Sequence, residues 1–232
     1  MPGMNMSARA VALFFAAALL GGCNIVVSKA PMFTAADSAG APAFHPGLWL
    51  GEKDDCRFDE TAPLAKWPEC ADPVVITPTE IHGVGPKDQK PAPYLVAAGD
   101  PLVLQGQMDI DVNAGVDVSA SGNAKASGSA SAEVSGPPPY AYLGAHPLAF
   151  DGQGRITRMQ SWPVMCGPPP PPPKPGARPD EARYVTRRPL PGLKIDGQVC
   201  TPADKAAVVN AARESRAYGS VQTSHWVRDT PS

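Results

Sequence analysis

Large apolar side chains are scarce in this 232-residue chain: Leu, Ile, Val and Phe together number 44, and aromatic residues make up 6%. A broad hydrophobic core of the usual kind is therefore excluded. Charge of one sign is lacking as well. The 20 Lys and Arg nearly balance the 22 Asp and Glu, leaving a net charge of −2. That removes an electrostatic case for nucleic acid as a partner. It also removes the charge excess that accompanies disorder in chains of such low apolar content. No apolar run reaches the roughly 20 residues that cross a bilayer as a helix. Glycine (22) and proline (29) are abundant but follow no three-residue period, so a collagen-like chain is excluded.

What is present begins at the N-terminus. One charged residue, Arg9, precedes the apolar run from Val11 to Leu20, a length that suits the core of a signal peptide. The run ends in Leu20-Gly21-Gly22-Cys23. This resembles the lipobox of bacterial lipoproteins: an aliphatic residue, two small residues, then cysteine. The resemblance implies removal of residues 1–22, a thioether-linked diacylglycerol on Cys23 and an acyl chain, palmitate for example, on its new amino group. Three acyl chains, at about 0.8 kcal/mol per buried CH₂, would anchor the chain almost irreversibly. Asn24 is not the aspartate that retains enterobacterial lipoproteins at the inner membrane, so the resemblance implies the outer membrane, facing the periplasm. Residues 23–46, rich in Ala, Ser and Pro, read as a flexible tether.

Four cysteines remain: Cys56, Cys70, Cys166 and Cys200. An even count in an exported chain with few aliphatic residues points to two disulfides. Of the three connectivities we favour Cys56–Cys70 and Cys166–Cys200, the second bracketing a proline-rich excursion. No pair has the CxxC spacing of a zinc site.

Strands are expected at residues 47–50, 74–77 and 94–97. Residues 102–134 alternate, with apolar or small residues at even positions, the pattern of strand with one buried face. That length must fold back, and the preserved parity predicts three-residue turns, the best at Ser121-Gly122-Asn123; a low-complexity linker is the alternative for residues 113–134. Asp151-Gly152-Gln153-Gly154 marks a hairpin between strands at 148–150 and 155–164. The six prolines from Pro168 predict a polyproline II spacer. The basic residues around it, Arg187 and Arg188 among them, fit a solvated loop or contact with anionic lipid or polymer. Asp196-Gly197 reads as a two-residue turn. Thr201-Pro202-Ala203-Asp204 reads as a capped helix start, with Thr201 the cap. Gly219 would end the helix before a last strand at 221–227.

Asp109-x-Asp111-x-Asn113 begins like a calcium loop but lacks its glycine and glutamate, and fits strand alternation better. The four histidines, His45, His82, His146 and His225, show no metal spacing, and no nucleophile or phosphate-loop motif occurs. Neither a cofactor nor a metal is expected. The four tryptophans read as core residues. Gly47-Leu48-Trp49 resembles the Gly-x-Trp that opens the first strand of lipocalins, and a C-terminal helix followed by a strand fits that family. The resemblance implies a barrel carrying a small apolar ligand and brings over no binding residues.

The whole points to a single, mainly β (α+β), disulfide-stapled domain of antiparallel hairpins with one C-terminal α-helix. Its parts are a β-rich region at 47–166, a proline-rich loop at 167–189, and a hairpin, helix and strand at 190–232. The function expected is that of a lipid-anchored, non-enzymatic envelope component with a protein or cell-wall partner; the alternative is the lipocalin-like carrier.

Overall fold

Short apolar stretches broken by Gly, Pro and Asp turns can become only short strands, and that is how the chain is built. The computed structural model describes residues 24–84, 91–107, 139–170 and 185–229. Its strands are β1 (Val27–Ser28), β2 (Gly47–Gly51), β3 (Val74–Ile76), β4 (Glu80–Gly83), β5 (Ala92–Ala97), β6 (Leu102–Gln107), β7 (Tyr140–Phe150), β8 (Ile156–Pro163), β9 (Leu193–Asp196), β10 (Val199–Pro202) and β11 (Gln222–Arg228). Helix α1 (Lys205–Ser215) precedes the last strand. Strands β2 to β8 pair antiparallel in chain order, and β11 slots between β8 and β2. The β7–β8 pairing completes a closed, eight-stranded antiparallel barrel. Closure leaves no long edge to be protected from pairing with another chain.

Alternation decides what fills the barrel. Leu102 and Leu104 of β6, Leu143 and Ala145 of β7, Val74 and Ile76 of β3, and Trp49 and Met159 share one buried cluster drawn from strands all round the ring. Phe44, just ahead of β2, closes one end, edge-on to Trp49 with centroids 5.6 Å apart and 5.8 Å from Tyr94. The opposite faces of β6, β7 and β8 carry a second core. There Val103, Tyr142 and Val164 meet Phe33 and the small-residue face of α1, with Val208, Ala211 and Ala212 fully buried. Small residues let the helix lie close. Trp162 points out of the barrel toward α1 and donates from Nε1 to the Ala212 carbonyl at 2.7 Å. Its indole lies over Gly144, its partner across the β7–β8 ladder.

Both disulfides have the favoured pairing. Cys56–Cys70 joins Cα atoms 5.7 Å apart in the β2–β3 connection. Cys166–Cys200, with Cα atoms 5.6 Å apart, ties the end of β8 to β10 inside the outer core. Chain-entropy arguments give about 3 kcal/mol for the shorter loop and about 4 kcal/mol for the longer.

Several expectations need correction. The segment taken as a tether is packed from Asn24 onward: Asn24, Ile25, Val26, Val27, Phe33 and Phe44 are all buried. Its few apolar residues are spread over all three buried clusters of the body. Two short 3-10 turns occupy the β2–β3 connection. The helix starts later than expected. Thr201 and Pro202 stay extended in β10, where Pro202 pairs with Leu193, and Asp204 is the cap, its carboxylate accepting from Ala207 N–H at 2.8 Å. The hairpin turn falls on Gly197-Gln198, since Asp196 already pairs with Val199. The expected fold-back beyond Gln107 and the calcium-like residues Asp109, Asp111 and Asn113 lie outside the described residues, as do Cys23 and the second half of the proline run.

A Cβ at Gly144 would overlap the Trp162 indole. Gly144→Ala should therefore lower stability by about 1–3 kcal/mol, the usual range for overpacking, read from the urea midpoint. An unchanged midpoint would show that the Trp162 contact is not tight.

Candidate functional site

Four places could carry chemistry: the lumen, two histidine clusters and a groove beside α1. The lumen comes first because a carrier would use it. Trp49, Met159, Leu104, Leu143 and Tyr94 pack into it, beside a cavity of about 30 Å³ lined by Val74, Ile81 and Gly83 on one side and Leu104 and Gly106 on the other. Pockets for small organic ligands usually occupy roughly 300–1,000 Å³. Tyr94 crosses this region and donates from its hydroxyl to the Thr77 carbonyl at 2.8 Å. Burial pushes its phenol from 10.0 up to about 12.

His45 lies at the end closed by Phe44, 8% exposed. Arg155 Nη2 approaches its Nε2 at 2.7 Å, and a guanidinium can only donate, so the ring proton sits on Nδ1 and points at the Pro46 carbonyl, 2.9 Å away. Trp226 stacks beside the ring with centroids 4.2 Å apart. Asp151 holds Arg155 through Nε at 2.6 Å. Burial raises the Asp151 carboxyl, but hydrogen bonds from the Arg155 backbone and side chain and from Gln153 N–H outweigh it and hold the group at about 2. This cluster joins the β7–β8 turn to the start of β2, and all its strong donors and acceptors face one another.

His225 faces outward from β11. Its Nε2 lies 3.0 Å from Glu60 and its Nδ1 3.5 Å from Glu52. Arg158 clamps Glu52 with two bonds of 2.8 and 2.9 Å, and that bond is the main reason the Glu52 carboxyl lies below its ordinary value. Glu60 belongs to the disulfide loop, so the cluster pins that loop onto the barrel wall. Nearby, Arg228 lies over Trp67 at 5.2 Å. Neither imidazole has a hydroxyl or thiol among its hydrogen-bond partners in the described residues. Among those residues no group of three His, Cys, Asp or Glu could hold a metal.

A surface groove of about 460 Å³ runs between α1 and the turn at Ala35–Ser38. Phe33 and Ala97 form its floor, Val209 and Asn210 one wall, and Arg213 one end. Lys205 spans it to both oxygens of Asp37 at 2.7 Å. That bond, with help from Thr34 N–H, lowers the Asp37 carboxyl from 3.8 to about 2. Sequence reading missed the groove because Asp37 and Lys205 are 168 positions apart.

No protein-family model, curated protein or solved structure matches the chain.

Two pH responses follow. The stabilisation from the buried Tyr94 phenol is fully present below about 10 and lost as pH rises through about 12. Burial raises the phenols of Tyr142 and Tyr218 as well, so ultraviolet titration should show a late-ionising fraction, and Tyr94→Phe should reduce that fraction by one tyrosine. At the acid end, the Asp37–Lys205 pair is fully formed above about 3.8 and fails as pH falls through about 2. The carboxyl carbon shift of Asp37 should report that midpoint, and Lys205→Ala should move it up toward the ordinary range, with the Thr34 bonds still holding it below.

Proposed function

We propose that the protein is a lipid-anchored, non-enzymatic component of the bacterial cell envelope, attached through Cys23, most simply at the outer membrane and facing the periplasm. The observation that carries the anchor is the position of Asn24. The chain is bonded into the body from the residue directly after the lipobox cysteine, so the fold needs everything that would remain after cleavage before Cys23. Two disulfides fit an exported chain. The histidine clusters serve as struts between segments, so the function falls to the outer surface, through contact with an envelope protein or the cell wall.

A lipocalin-like carrier of a small apolar ligand has the closed eight-stranded barrel in its favour and the filled lumen against it. Native mass spectrometry of the purified chain separates the two: a stoichiometric apolar ligand would favour the carrier.

The anchor is tested by fractionating cells that express the chain and by weighing the N-terminal peptide. The expected peptide begins at Cys23 and carries acyl mass, and Cys23→Ser should move the protein from the membrane pellet to the soluble fraction. An unmodified Cys23 would defeat the proposal.

A further inference from the structure

If Cys23 is acylated, the missing tether has a consequence for how the body sits on the membrane. Asn24 is 1% exposed and bonded on every side. Its carbonyl accepts from Cys166 N–H at 2.6 Å, its Nδ2 donates to the Gly167 carbonyl at 2.8 Å, and its Oδ1 accepts from Thr186 N–H at 2.9 Å. The next residue is held too, Ile25 accepting from Cys200 N–H at 2.9 Å. Consecutive Cα atoms are about 3.8 Å apart. A lipid on Cys23 therefore starts one residue from a rigid point, with no slack to lift the body away from the headgroups.

The described segments bonded to that point carry three exposed cations. Arg187 and Arg188 follow Thr186 directly and are exposed, and exposed Lys194 lies on β9, the partner of the strand that holds Cys200. None of the three has an ion pair among the described residues, and Asp196 is the one acidic residue in described residues 185–200. Ile195, paired with Cys200, is 36% exposed beside them.

We propose that this face, marked by Arg187, Arg188 and Lys194, rests directly on anionic phospholipid headgroups, so that the protein is docked on its membrane in one orientation. The inference rests on the lipid anchor proposed above. The anchor supplies the local concentration, and the three cations select the face, since juxtamembrane basic residues are drawn to anionic lipid within about a Debye length. The opposite end of the β8–β11 pair, where Arg228 contacts the disulfide loop, then points into the periplasm.

The test uses the acylated full-length mature chain in vesicles of phosphatidylethanolamine and phosphatidylglycerol. A water-soluble acetylating reagent is applied, and Lys194 and Lys66 are followed by peptide mass spectrometry. Lys66 is exposed in the disulfide loop beside Trp67 and serves as the internal reference. Relative to the Cys23→Ser chain mixed with the same vesicles, Lys194 labelling should fall several-fold while Lys66 stays unchanged. A flexible Gly-Ser insert of about 20 residues between Cys23 and Asn24 should restore Lys194 labelling, because it lets the body leave the surface. Replacing Arg187 and Arg188 together by Glu should restore it too, with anchoring intact. Equal labelling of Lys194 in the acylated and Cys23→Ser chains overturns the docked orientation. A chain that carries no acyl mass on Cys23 overturns the anchor itself, and the two failures are read in separate measurements.

Discussion

Closure by β11 is the constraint on which the rest of the structure depends. Seven strands follow one another round the ring, but the gap between β8 and β2 is filled by a strand that arrives only after the β9–β10 hairpin and α1. Until it does, β2 and β8 present open edges, and the lumen lacks Trp226 and the buried Ser224. The outer layer is therefore part of the closing device. Trp162 and Ser215 bind α1 to the end of β8, which fixes where the helix ends and where β11 must enter. Contacts this distant in sequence carry a large loop-closure cost before they contribute, and Cys166–Cys200 removes part of it.

A small ring also explains how a chain poor in large apolar residues builds a stable body. An eight-stranded barrel is just wide enough for side chains to fill. Trp49, Met159, Leu104 and Leu143 do most of the filling, and two aromatic residues, Phe44 and Tyr94, block the axis. The second core needs bulk on one side only. Opposite Phe33, Tyr142 and Trp162, α1 offers Ala and Val, and Gly144 removes even a methyl group beneath the indole. Large and small residues are thus matched face against face.

Much of the barrel was legible in the sequence. Short apolar runs marked β2, β3 and β5, period-2 alternation marked β6, and the Asp-Gly turn marked the β7–β8 hairpin. Cysteine parity pointed to two bridges. What was not legible shares a cause. β1 has two residues, and β4 is the mixed stretch Glu80–Gly83, so neither shows a period; both exist because a neighbouring strand supplies their hydrogen bonds. The cap of α1 was misplaced because Thr201-Pro202 satisfies the local rules for a helix start while the ladder to Leu193 and Lys194 demands extension. Tertiary pairing overrode a sound local preference. The two histidine clusters and the groove join residues from 106 to 180 positions apart and leave no spacing signal at all.

The tether shows how composition misleads. Ala, Ser and Pro around a few apolar residues describe a linker, but they equally describe a strap whose rare large residues enter both the outer core and the barrel. Val26 sits in the outer core, Phe33 between β6 and α1, and Phe44 in the barrel mouth. Between them the strap's backbone is satisfied by side chains it could not anticipate: both Met32 and Phe33 donate to the Gln105 amide oxygen, at 2.7 and 2.9 Å, and Gln105 returns a bond to Phe33. A buried amide with those partners has one acceptable position, which is why a polar residue at an outward site of β6 is 4% exposed. The strap holds the barrel and α1 together from outside, so the same segment that would place the protein against a membrane also completes its fold. The bonds of Asn24 to Cys166, Gly167 and Thr186 make the first described residue of the strap as fixed as any in the core.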